Sequence, residues 1–86
     1  MIIKLSKNQF DYLGYSLSEE QEVLTLKLKE IRKENQSVII EVDEATADEI
    51  RDWASEKLQE KGFDENYELT PEGKILEELI DVFYIG

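Results

Sequence analysis

The sequence predicts an α+β fold. It reads as a small single domain over residues 1–86 with two short strands, a third if one ambiguous stretch is extended, and about four helices. Three observations predict it. Residues 37–42 (SVIIEV) form a β-branched run with polar ends, the mark of a strand. Residues 44–61 carry Ala47, Ile50, Ala54 and Leu58 at helical spacing behind Asp43, a good N-cap, with Trp53 at the edge of the stripe. Thr70-Pro71-Glu72 opens a further stripe, Ile75, Leu76, Leu79, Ile80 and Phe83. Threonine caps, and proline is tolerated in the first turn because its missing N–H has no helical partner there.

The remaining elements follow in chain order. Residues 2–5 (IIKL) read as a strand. Ser6 with Gln9 is a capping box, and Phe10, Leu13 and Leu17 give the helix after it an apolar face. Gly14 weakens that helix by roughly 1 kcal/mol relative to alanine. Ser18 with Gln21 repeats the box. The stretch after it is open between two readings. Val23, Leu24, Leu28 and Ile31 make a helical face, and the early glutamates and late basic residues favour helix. Leu24, Leu26 and Leu28 alternate as in a strand, which would pair with residues 37–42 as a hairpin. Gly62 is expected to stop its helix as a C′ residue, with Phe63 folding back on the core. Residues 64–69 are a loop. The last two helices should pack their stripes on each other and on the strands.

A chain of 86 residues holds one domain and a small core. It has no cysteine and no histidine, which removes disulfides, thiolate chemistry and the commonest neutral-pH base and metal ligand. The lack of cysteine fits a reducing cytosol. No apolar run approaches the ~18–20 residues that span a bilayer, and the N-terminus lacks a signal-peptide core, so a cytoplasmic location is expected. Net charge is −11, unevenly spread. Residues 1–36 balance six Lys/Arg with six Asp/Glu, whereas residues 37–86 set four against fifteen. Direct nucleic-acid binding needs a basic footprint, which is missing, and an acidic membrane surface would repel the chain.

No catalytic constellation is present, and the chain reads as a non-enzyme without a cofactor. The serines and threonines have no histidine to activate them, and Ser6, Ser18, Ser37 and Thr70 are explained as caps or strand ends. The four glycines are scattered, so no phosphate loop exists. Asp64-x-Asn66-x-Glu68 resembles half a calcium loop. Glycine is needed at its sixth position and glutamate at its twelfth, where Leu69 and Ile75 stand. The apolar end, Val82-Phe83-Tyr84-Ile85, exceeds what one helix face hides; with Tyr12 and Tyr15 it offers a dimer contact.

The most unusual feature is an acid ridge. Glu44, Asp48, Asp52, Glu56 and Glu60 recur at every fourth position of one helix. Each step drifts about 40° around the axis, so the five wind over the face opposite the apolar stripe. Like charges at this spacing cost roughly 0.2–0.5 kcal/mol per pair, and Arg51 and Lys57, on the flanks, offset part of it. Such a face is either solvated surface or a surface for a basic partner.

From Val38 onward, GFDENYELT and PEGKILEELID in particular, the chain resembles a group of short uncharacterised proteins of bacteria and their phages. The resemblance covers about half the chain. It implies a strand, an acid-capped helix, a Gly-Phe-Asp loop and a last helix, and it implies no activity. The leading expectation is a small acidic interaction or regulatory protein, in its sharper form a phage-type nucleic-acid mimic facing a basic protein partner. The alternative is an oligomer-forming accessory protein using its apolar C-terminus, as monomer or homodimer.

Overall fold

A computed structural model describes residues 1–84. In chain order the elements are β1 (Ile2–Ser6), α1 (Lys7–Glu20), α2 (Glu22–Leu26), β2 (Lys29–Lys33), β3 (Ser37–Glu41), α3 (Glu44–Lys61) and α4 (Pro71–Val82). The fold is α+β. β3 is the centre of a three-stranded antiparallel sheet of order β1-β3-β2. Ile3, Leu5, Val38 and Ile40 point into the core with Leu13, Leu17, Ile50, Leu76 and Leu79. Directly opposed residues share a face, so Ile2, Lys4, Ser6, Ile39, Glu41, Lys29 and Arg32 lie together on the other side.

The ambiguous stretch divides between its two readings. Residues 22–26 are helical and residues 29–33 are the hairpin strand, so the continuous helix favoured by local signals does not form. A central strand has two edges of N–H and C=O groups to satisfy. β1 satisfies one edge of β3, and β2 satisfies the other, from Lys29↔Glu41 to Lys33↔Val38. That requirement outweighs helix propensity here. β2 is exposed along its whole length and carries a bulge between Glu30 and Arg32. Charge and a bulge are the usual means of blunting an edge strand against further pairing. The second Ser-x-x-Gln box is also unused. Ser18 sits inside α1 and donates its hydroxyl to the Tyr15 carbonyl at 2.9 Å.

Three caps form where the sequence places them. Ser6 and Gln9 close the capping box, the Asp43 carboxylate accepts from the Thr46 N–H at 2.7 Å, and Thr70 accepts from the Gly73 N–H at 2.9 Å. Gly62 ends α3 differently from expectation. Its φ is −81°, so no left-handed cap is made. Its carbonyl instead accepts from the Thr70 N–H at 2.8 Å and from the Thr70 hydroxyl at 3.2 Å, which brings the start of α4 against the end of α3. The left-handed residue is Tyr67, φ 62°. Phe63 pairs with Leu69 in an isolated bridge and stays about half exposed, rather than folding onto the core.

Candidate interaction surface

The ridge residues Glu44, Asp48, Asp52, Glu56 and Glu60 are all exposed on α3. Of their two cationic neighbours, Arg51 offsets the ridge as expected and Lys57 does not. Arg51 pairs with Asp48 at 2.6 Å and lies over the Tyr84 ring at 5.5 Å. Lys57 is buried. It reaches back to the carboxylate of Glu20 at the end of α1 and lies over the Trp53 ring at 5.9 Å. Among the described residues, no ion pair reaches Glu44, Asp52, Glu56 or Glu60. Lys57 was drawn inward because its long stem covers apolar surface while the ammonium finds a carboxylate at the rim. The ridge is thereby left more negative than its sequence suggests.

Three carboxylates do more than face solvent. Glu49, Asp52 and Glu56 line a shallow cleft of about 230 Å³ with Gln21, Leu24 and Trp53. Glu49 lies outside the five-residue ridge. The signal that finds it is the spacing 49, 52, 56, which is i, i+3, i+7 and holds one face, whereas steps of four drift. Trp53 forms part of the cleft while only 7% exposed, in line with a ring at the core's rim. Its indole N–H has no hydrogen-bond partner among the described residues.

The sheet's open side sets Lys4, Lys29 and Arg32 against Glu41 and Glu34. Glu34, in the β2–β3 turn, approaches Arg32 at 3.2 Å, Lys4 at 3.8 Å and the Ser37 hydroxyl at 3.1 Å. Its position breaks up what would otherwise be a cationic track across the strands. The apolar C-terminus is also smaller as a surface than expected. Phe83 is fully buried in the core, Tyr12 is half-buried, and Tyr84 and Tyr15 are exposed. Ile85 lies outside the described residues.

Asp64 is occupied by its own loop: its Oδ1 accepts from the N–H groups of Asn66 at 2.8 Å and Glu68 at 3.0 Å, an Asx turn. Among the described residues, no three His, Cys, Asp or Glu side chains are grouped to hold a metal, and no helix is long and apolar enough to cross a membrane.

Among the described residues, three groups titrate away from their ordinary ranges. The hydrogen bond from Lys57 holds the Glu20 carboxyl low, against some desolvation. The Thr46 backbone N–H holds Asp43 low. Burial, reinforced by donation to Glu72 at 2.7 Å, pushes the Tyr12 hydroxyl up.

A lowered carboxylate contributes stability that is present above its unfolded value and lost as pH falls through the folded one. Glu20→Gln is expected to cost about 1 kcal/mol at pH 7, since the partly exposed carboxylate is screened while Lys57 is left buried without it. That cost should shrink as pH falls below about 4. Lys57→Met should cost less, because it leaves no buried charge unpaired. Denaturant midpoints of both variants from pH 7 to pH 3 check this. Equal costs, or a Glu20→Gln cost constant with pH, would contradict it.

Comparison with protein-family models, with curated proteins and with solved structures gives no match.

Proposed function

We propose that this protein is a small acidic interaction or regulatory protein, not an enzyme, that presents α3 to a basic partner. The observation that carries the reading is the charge arrangement of α3. Five exposed carboxylates run along one helix, four of them without an ion pair among the described residues, because the nearest lysine is turned inward. A face of one sign raises the association rate of a partner of the other sign and makes that rate depend on salt. Occupying the basic groove of a nucleic-acid-binding protein is the sharper form of the same reading. The pairing of Lys4 and Arg32 with Glu34 neutralises part of the sheet's cationic face, which supports a protein partner over direct nucleic-acid contact. Oligomerisation through the C-terminus is the weaker reading, because Phe83 is withdrawn from the surface it would need.

The test is the triple change Asp48→Asn, Asp52→Asn, Glu56→Gln. It keeps side-chain size and removes three charges, so folding stability should stay within about 0.5 kcal/mol or rise. Affinity for a basic partner recovered by co-purification at low salt should fall, mainly through slower association, and the salt dependence should flatten. Glu65→Gln, Glu77→Gln and Asp81→Asn remove the same charge elsewhere and should do less. Equal binding by both triples would reduce the ridge to solvation.

A further inference from the structure

The carboxylates Glu49, Asp52 and Glu56 border an apolar element that charge alone does not require. Between α3 and α2 the cleft is floored by Leu24 and Trp53. α2 is a helix of five residues, too short to persist by propensity, and it is anchored by burying Leu24. The same helix leaves Val23 66% and Leu26 80% exposed, and Leu26 is the most exposed aliphatic side chain among the described residues. α2 is tied to the acid side of the cleft, since Lys27, its C-cap, pairs with Glu49 at 3.9 Å.

We propose that this cleft, with Val23 and Leu26 exposed on the short helix that borders it, is the centre of the contact, and that its occupant is an amphipathic segment of a basic protein. The inference rests on the reading of α3 as a partner-binding face and adds the partner's chemistry. Three carboxylates at i, i+3, i+7 suit Arg or Lys heads spaced along a helix or extended segment. The Leu24 and Trp53 floor suits the aliphatic stems of those side chains, and an arginine plane gains further from an aromatic ring. Val23 and Leu26 then take apolar residues from the same segment. Burial of such anchors within a charged surround is the arrangement that concentrates binding energy in few residues.

Other occupants fit less well. A second copy brings the same acid face and a net charge of −11. Its Lys4 and Arg32 are already engaged with Glu34. Nucleic acid is repelled by the cleft's carboxylates. A partner recognising charge alone would leave Val23 and Leu26 in water.

Trp53 is the chain's one tryptophan, so its emission reports on the cleft directly. Two synthetic probes of equal charge are titrated at low salt, a helical Leu–Arg peptide and an oligoarginine. The Leu–Arg peptide is expected to shift Trp53 emission saturably and to bind at least about tenfold more tightly, the effect of roughly one buried large aliphatic side chain. In Val23→Ser with Leu26→Ser, both exposed and so harmless to the fold, that advantage should vanish while oligoarginine binding persists. The ridge triple should weaken both probes. Equal affinities in the wild type, or an advantage that survives the α2 changes, overturns the cleft as contact centre and leaves the acid-face reading standing. Failure of both probes to bind overturns the two together.

Discussion

Phe83→Ala is expected to cost about 3–5 kcal/mol of folding stability, the range for a large aromatic removed from a closed core. Phe83 caps α4 and is fully buried. It sits in one core cluster with Leu13, Leu17, Leu76 and Leu79. A chain of this length has on the order of 4–13 kcal/mol in total, so the loss would reach a large share of it. Tyr84→Ala, one residue on, removes a side chain that is 64% exposed and is expected to change stability by no more than about 0.5 kcal/mol, apart from its contact with Arg51. Urea midpoints of the two variants make the comparison. A Phe83→Ala cost below about 1 kcal/mol would return this residue to the surface and revive the C-terminus as a contact.

Gly73→Ala carries the second large effect, and its sign is the point. Gly73 is the third residue of α4, where helix propensity alone predicts that alanine stabilises by roughly 1 kcal/mol. The structure predicts the reverse. A Cβ there would stand 2.8 Å from the Gly62 Cα and closer still to its carbonyl oxygen. Both are backbone, and that carbonyl is already held by Thr70. Relief therefore means moving α4 off the end of α3, at about 1–3 kcal/mol for overpacking and the Thr70 bonds on top. Gly14→Ala is the matched case. Apart from its chain neighbours and its own helix backbone, no atom lies within 4 Å of a Cβ at Gly14, so alanine should raise stability by roughly 1 kcal/mol. Thermal midpoints should move in opposite directions, by several degrees each. Movement in the same direction would show that the close approach of Gly62 and Gly73 is not retained in solution.

The candidate surface was half legible. The five ridge positions could be read from their spacing, since a helix with an Asp43 cap and a clear apolar stripe fixes which residues face outward. Glu49 was readable in principle from the i, i+3, i+7 set it makes with Asp52 and Glu56. Lys57 was not, because its partner Glu20 lies 37 positions away. Nor was the apolar outer face of α2, since the exposure of Val23 and Leu26 depends on α2 ending where β2 begins.

What the sequence determined by itself is what short-range chemistry decides. The caps at Ser6, Asp43 and Thr70 each act on a backbone N–H three residues away, and so form wherever the helix forms. The β-branched run of β3 and the uneven charge belong to the same class. The tertiary structure alone decided the fate of residues 22–33, the duties of Gly62 and Gly73, and the burial of Phe83 and Lys57. Residues 22–33 carry helix and strand signals of similar strength, and the unpaired second edge of β3 settled between them. Gly62 stops α3 where the sequence places the stop, but without a left-handed angle, because a glycine's lack of Cβ serves such an angle and a close approach equally, and only the neighbouring helix tells which. In each of these cases the deciding atoms are distant in sequence and adjacent in space.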